Sequence, residues 1–301
     1  MRKISEIILE KYQVRKTRKQ KDEFIQLLGN ELNEHIIIEQ CGMFKSRNII
    51  IGDLNKSKYV LTAHYDTAPV LPFPNFLTPK NLFIYLMFNI VLVGIFIMIG
   101  YVCRELVYLL TNSEMISSFV YMLIYWFFLG WMFFGKANKH TVNDNTSGII
   151  TLLELMECKD IRDQVCFVFF DHEEMGLLGS GAFKKKHKHI MKDKLLINFD
   201  CVSDGNYIMM ITSESASQYK EELMKCMNYE GKELVITDSK NTIYPSDQKH
   251  FINHIGVAAF HKNKICGYYI NKIHTHKDLC LDIRNIDMLV QGIERFIKRN
   301  G

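Results

Sequence analysis

Residues 127–148 read FFLGWMFFGKANKHTVNDNTSG. The first eight are uncharged and mostly aromatic, as at the end of a membrane span. The last six set Asp144 between two amides, Asn143 and Asn145, at the mouth of a helix. A chain that leaves an apolar segment and runs almost at once into a carboxylate between amides combines two environments, and each side of the stretch explains one of them.

On the N-terminal side lie two apolar runs. Leu82–Cys103 holds 22 residues without a charge and Met115–Phe134 holds 20. At 1.5 Å per residue the first extends about 33 Å, against a hydrocarbon core of about 30 Å. Both are apolar on all sides, whereas a core helix of a globular domain is shorter and carries one apolar stripe. Trp131 lies near the end of its run, as an interfacial belt requires, while Tyr121, Tyr125 and Trp126 sit deeper. Arg104, Glu105 and the turn TNSE at 111–114 separate the runs. The expectation is a two-helix transmembrane hairpin that meets the lipid bilayer through residues 82–103 and 115–134.

Outside this hairpin the pattern is that of an α/β domain. Ile4, Ile7, Ile8, Phe24, Leu27, Leu28 and Leu32 predict a helix over 4–32, whose basic segment RKTRKQK reads as a solvated face, with attraction to anionic lipid as the alternative. The runs HIIIEQ, RNIIIGDL and KYVLTAH predict strands, and four of the five prolines fall in an irregular stretch from Pro69 to Pro79. Past Lys136, helices over 145–158, 179–189 and 215–227 alternate with the strands QVCFVFF, LLINFD, YIMMIT and GVAAFHK, and a last helix carries Ile286, Leu289, Val290, Ile293 and Ile297 on one stripe. Such alternation predicts a mixed, mainly parallel sheet sandwiched by helices.

Composition excludes some classes. A net charge of +4 without an aromatic-rich basic patch gives no case for nucleic acid. The eight cysteines are scattered with no C-x-x-C pair, which argues against a zinc ribbon or thioredoxin-like site and reads as reduced core residues in a reducing compartment. The N-terminal apolar stretch is interrupted by Glu6, Glu10 and Lys11, so no secretory signal is expected there.

The residues that carry chemistry fall at strand ends, where open α/β sheets place their sites. KYVLTA ends in His64-Tyr65-Asp66, CFVFF in Asp171-His172-Glu173-Glu174, and LLINF in Asp200. Asp144 precedes a helix, and IHTHKD offers His274, His276 and Asp278. Singly each has an ordinary explanation: a surface histidine, an N-cap aspartate, a charged surface pair. Together they form a histidine and carboxylate set of the kind that suits zinc, cobalt or manganese. His64 and Asp66, two apart on an extended chain, point the same way, so Asp66 can hold the free ring nitrogen of His64. The adjacent Glu173 and Glu174 diverge, so that one can bind metal while the other reaches an attacking water.

In their order along the chain, AHYDT, NDNTSG, DHEEMGLLGS, NFD and IHTHKD resemble the motifs of the co-catalytic di-zinc aminopeptidases, the clan of bacterial leucyl aminopeptidases, aminopeptidase Y and the glutaminyl cyclases. The resemblance covers most of residues 15–64 and 136–299. It implies a zinc-exopeptidase (phosphorylase/hydrolase-like) fold and two Zn2+ per chain, with Co2+ or Mn2+ as substitutes. Asp144 would bridge the ions, His64 and Asp200 would complete one site, and Glu174 and His274 the other. Glu173 would be the general base and acid, and Asp66 would support His64. His274 is preferred over His276 because the family pattern is H-T-x-x-D, and the role of His276 is open. The implied partner is a peptide with a free N-terminus.

The chain departs from that family in one place. Soluble members join the His-x-Asp strand to the bridging aspartate by a short connection, whereas Asp144 follows His64 here by 80 residues. The expected organisation is therefore a catalytic domain in two parts, residues 1–80 and 136–301, with the hairpin of residues 81–135 inserted in an active-site loop. Two crossings are required, since His64 and Asp144 must end on the same side. Lys80, Lys136 and Lys139 flank the outer ends of the hairpin, which places the catalytic domain on the cytoplasmic side of the cell membrane. Two other functions share these residues: cyclisation of N-terminal glutamine, and a receptor or scaffold that no longer catalyses. A transporter is excluded, because two spans without internal charge offer no polar path.

Overall fold

The computed structural model describes residues 1–32, 34–227 and 231–301. Among the described residues nine strands form one sheet: β1 (Ile36–Cys41), β2 (Ser46–Ile51), β3 (Tyr59–His64), β4 (Val165–Phe170), β5 (Leu195–Phe199), β6 (Tyr207–Thr212), β7 (Glu233–Asp238), β8 (His254–Asn263) and β9 (Gly267–Tyr269). Their order is β1-β2-β4-β3-β5-β8-β6-β7, with β9 beside β8. Pairing is parallel through β4, β3, β5 and β8 and between β6 and β7, and antiparallel elsewhere. The expected mixed sheet is present. β7 and β9, which the sequence pattern did not reveal, add a half-buried edge and a short hairpin partner.

The central strands are apolar throughout because both of their faces are covered. Val165, Phe167 and Phe169 of β4 join one core, while Cys166, Val168 and Phe170 join another on the opposite face. The first core is roofed by α1 (Lys3–Lys11), α2 (Arg18–Glu31), α5 (Ser147–Leu155), α7 (Lys220–Cys226) and α8 (Ile283–Asn300). Phe183 of α6 (Leu178–Lys186) packs on the other face. All eight cysteines are unpaired.

The expected continuous helix over 4–32 is two helices. α2 starts afresh at Thr17, whose hydroxyl accepts from Gln20 N–H while the Gln20 side chain accepts from Thr17 N–H. Between α1 and α2, Arg15 is fully buried. Its guanidinium donates to the carbonyls of Tyr65 (2.6 Å) and Tyr12 and to the Thr146 hydroxyl. Lys21 is also buried, on the Asp171 carboxylate. RKTRKQK is thus not simply a solvated face: two of its cations are internal struts.

Two helices stand apart from this sandwich. α3 (Leu82–Thr111) has 30 residues, about 45 Å of helix, and α4 (Glu114–Phe134) has 21, about 31 Å. Their most apolar stretches have mean hydropathies of 2.7 and 1.6 and hold almost no buried residue, so each is long and apolar enough to cross a membrane and neither is buried as a core helix. They pack on one another, with Phe96 stacked on Phe128 at 4.5 Å. Asn112, in a left-handed conformation, turns the chain between them, and Arg104 pairs with Glu114 at 2.5 Å at that end. At the other end the chain leaves and returns at one point: Val70 N–H donates to Lys136 O (2.8 Å) and Asn138 N–H to Ala68 O (2.9 Å).

Gly176 and Gly179 shape the turn from β4 into α6. Gly176 has φ +90°, and a Cβ on Gly179 would stand 2.0 Å from Asp171 O and 2.7 Å from Asn48 Oδ1. Gly179→Ala is expected to destabilise the fold by about 1–3 kcal/mol. Gly29→Ala, on an exposed face of α2 with open space around it, is expected to be neutral or stabilising by up to about 1 kcal/mol. Thermal unfolding of the two variants tests the contrast; equal melting temperatures would refute it.

Candidate metal centre

The parallel strands β3, β4 and β5 deliver their chemistry at their C-terminal ends. His64 is the last residue of β3, Asp200 follows β5 directly, and Glu173 and Glu174 follow β4 after a turn in which His172 has φ +54°. Asp171 anchors that turn. Its carboxylate binds Lys21 and accepts from the backbone N–H of Arg47 and of His172, both at 2.9 Å.

Asp144 arrives from the other side of the cleft in the turn before α5, and its flanking amides explain its placement. Asn145 donates to Phe199 O (2.9 Å), and its carbonyl oxygen accepts from Gly148 and Cys201 N–H. Asn143 accepts from the N–H groups of Ser203 and Asp204, at 2.8 and 2.9 Å. Both amides therefore fasten the Asp144 turn to the loop that carries Asp200. Asp278 holds it from behind, accepting from the N–H of Asn143 (2.7 Å) and of Asp144 (3.0 Å).

The result is a carboxylate shared between two imidazoles. Asp144 Oδ1 lies 3.2 Å from His64 Nε2 and Asp144 Oδ2 lies 3.0 Å from His274 Nε2. Asp200 Oδ1 is 3.6 Å from His64 Nε2, and Glu174 Oε2 is 3.3 Å from His274 Nε2. Donor atoms of His64, Asp144 and Asp200 cluster within 4.8 Å of one another, and so do those of Asp144, Glu174 and His274. Glu173 completes a third such group with His64 and Glu174. Asp66 has a broader task than steering His64. Its Oδ1 stands 3.5 Å from His64 Nδ1, and its two oxygens accept from the backbone N–H of Glu173 (3.0 Å) and Glu174 (3.2 Å). It thereby locks the two strand ends together.

Charge is concentrated here. Burial pushes the Glu174 carboxyl up to about 8, against the pull of His274 and with the repulsion of Asp144. Burial also lifts Glu173 well above the carboxylate range; His64 opposes the shift, and Glu174, Asp200 and Asp247 reinforce it. Despite burial, Asp144 is held well below the usual range by His274 and His64. Burial lowers the pKa of His274, but Glu174 and Asp144 outweigh it and raise the group to about 9. Asp200 Oδ1 and Glu174 Oε1 are buried without a hydrogen-bond partner. Buried, surplus carboxylate oxygens beside two imidazole nitrogens are a donor set that fits zinc.

The cleft above these groups is small, about 60 Å3, and its remaining walls include Asn75, Leu77, Tyr244, Ile270 and Ile273. Tyr244 donates to Asp200 O at 2.7 Å. His276 is not part of it: it is exposed and lines a separate depression with Pro72 and Phe88. The sequence motifs marked Asp278 without revealing its hold on the Asp144 turn, and nothing near Tyr244 announced that residue.

Residues 131–289, just over half of the chain, match peptidase family M28. The chain belongs to peptidase family M28. A curated relative, "probable leucine aminopeptidase 2" of Aspergillus oryzae, is 32% identical over 85 residues, which are 27% of this chain and 17% of that protein. Among solved structures, a Zn-dependent exopeptidase from Parabacteroides distasonis has the same fold at 14% identity and TM-score 0.59, with 98% of this chain and 95% of that one covered. Glutaminyl cyclase from Porphyromonas gingivalis has it at 15% identity and TM-score 0.55, covering 99% and 97%. LapA aminopeptidase of Legionella pneumophila has it at 12% identity and TM-score 0.54, covering 98% and 68%. In this M28 chain 80 residues, including α3 and α4, lead from His64 at the end of β3 to Asp144.

In Asp278→Asn an amide N–H would face a backbone N–H and release the Asp144 turn. Zinc affinity is expected to fall about 10–100-fold, read by competition with a chromogenic chelator. Unchanged affinity would show that the turn is held by Asn143 and Asn145 alone.

Proposed function

We propose that this M28 protein is a membrane-anchored di-zinc aminopeptidase that removes N-terminal residues from peptides. The observation that carries the reading is the split of Asp144, one oxygen toward His64 and the other toward His274. His64 and Asp200 would hold one Zn2+ and Glu174 and His274 the other, with Asp144 between them; Co2+ or Mn2+ can substitute. When bound, the ions supply Lewis-acid polarisation of the scissile carbonyl, a lowered water pKa and a partner for the substrate's free amine.

The chain's own residues do the rest. Glu173 withdraws the proton of the attacking water and returns it to the leaving amine. Asp66 fixes Glu173 through the backbone N–H bond, so that base and ligands keep one geometry. Leu77, Ile270 and Ile273 keep bulk water from the reacting groups and admit an apolar N-terminal side chain.

In this reading residues 81–135 are a two-span transmembrane hairpin inserted between the two parts of the catalytic domain, residues 1–80 and 136–301. The exposed apolar faces of α3 and α4 support it, as does the meeting of the hairpin's ends at Pro69 and Ala137. Lys80, Lys136 and Lys139 at those ends favour a cytoplasmic catalytic domain. The site would then work close to the membrane surface.

Glu173→Gln is expected to lower kcat on aminoacyl substrates by about 10^2–10^4-fold while zinc content stays that of the parent. A chelator should abolish parent activity and added zinc restore it. Turnover by the variant at the parent's rate would remove Glu173 from the mechanism. A pyroglutamyl product from a glutamine-initiated peptide, without release of the first residue, would replace the peptidase reading with a cyclase.

A further inference from the structure

Where α4 rejoins the globular body, a cleft in two parts remains without an assignment. The part beside the helix, about 670 Å3, is walled by Phe127, Trp131 and Phe134 and is almost wholly apolar. Through Phe134, Gly135 and Lys136 it adjoins a second part of about 610 Å3, where Lys16, Lys136 and Lys139 gather. Among the described residues no aspartate or glutamate lines either part.

We propose that this cleft binds one anionic phospholipid, with its phosphate among Lys16, Lys136 and Lys139 and an acyl chain along Phe127, Trp131 and Phe134. The proposal rests on the two-span reading above. Three lysines line this part of the cleft, Lys16 being also within electrostatic reach of Glu174 and Asp66, and each lysine offers rotatable donors suited to phosphate oxygens. The apolar part that continues from them along a lipid-facing helix decides for a lipid over a free phosphate, which would leave that part unfilled.

The placement of Lys16 gives the site its depth. Its ammonium donates to Phe133 O (3.0 Å), a carbonyl in the last turn of α4, and its side chain is half-buried. Thr17 and Gln20, which share the cleft, use their side-chain oxygens as acceptors in the cap of α2, so the Thr17 hydroxyl and the Gln20 amide can donate to a ligand beside the lysines. Lys16 also follows Arg15, which is bonded to Tyr65 O and the Thr146 hydroxyl, beside the loops that carry Asp66 and Asp144. A headgroup held by Lys16 would therefore tie the N-terminal segment to the membrane face within a few residues of the metal centre.

The test uses the full chain in nanodiscs of phosphatidylcholine and phosphatidylglycerol in equal parts, with retained lipid counted by native mass spectrometry after release. Phosphatidylglycerol is expected to be retained over phosphatidylcholine by about tenfold or more. The combined variant Lys16→Gln, Lys136→Gln, Lys139→Gln should lose that preference, and Lys185→Gln, Lys188→Gln, Lys192→Gln, at exposed lysines of α6 and the turn after it, should keep it. Equal retention of both lipids by the parent, or an unchanged preference in the first variant, overturns the proposal. Displacement of the lipid by inorganic phosphate that then remains bound makes this a free-phosphate site and also overturns it. Alkaline carbonate extraction separates the two readings. A parent that stays in the membrane pellet without headgroup preference refutes the lipid site alone, and a parent released to the supernatant refutes the two-span hairpin and the lipid site together.

Discussion

Asp144 is a buried carboxylate whose two oxygens face two imidazoles that come from opposite ends of the chain. Taking such a charge out of water costs several kcal/mol unless its partners are in place, so the fold has to bring His64, at the end of β3, and His274, after β9, to the same few ångströms. Much of the surrounding structure serves that requirement. Asn143, Asn145 and Asp278 hold the Asp144 turn from three sides, and Asp66 joins the ends of β3 and β4. Tyr244 and the segment from Ile270 to His274 close the cleft.

The detour through α3 and α4 is reconciled with this constraint by a clamp. The segments that enter and leave the hairpin pair around Pro69 and Ala137, so the excursion is sealed off where it meets the domain. The clamp also touches the metal-centre loop directly: Leu71 N–H donates to His274 O (2.8 Å) and the Asn138 side chain donates to Thr275 O (3.0 Å). Phe73 and Phe76, in the loop that roofs the cleft, pack on Phe96 and Phe88 of α3. The hairpin is thus braced against the site and is not a loose tether beside it.

The sequence showed the parts of this arrangement that depend on local pattern. Apolar runs marked the central strands, uncharged length marked α3 and α4, and the strand-end residues His64, Asp66, Glu173, Glu174 and Asp200 stood out because parallel strands place chemistry at their C-terminal ends. It concealed what depends on distant partners. Arg15 looks like one of several surface cations, and its burial depends on Tyr65 and Thr146, 50 and 131 residues away. The break between α1 and α2 follows from that burial and from the cap at Thr17. β7, with a charged residue at each end and half-exposed residues between them, lacks the continuous apolar run by which β4 and β5 were found. The hydroxyl of Tyr244 is committed to a backbone carbonyl, a role that no residue type advertises.

In the proposed metal centre five side chains, His64 and Asp144 among them on either side of the hairpin, would surround a pair of cations. Diffraction from the zinc-loaded protein at the zinc absorption edge tests it most directly. Two anomalous peaks about 3.5–4 Å apart are expected, on either side of Asp144, one against His64 and Asp200 and the other against Glu174 and His274. A single peak away from Asp144, or zinc bound elsewhere on the chain with these five side chains bare, would contradict it.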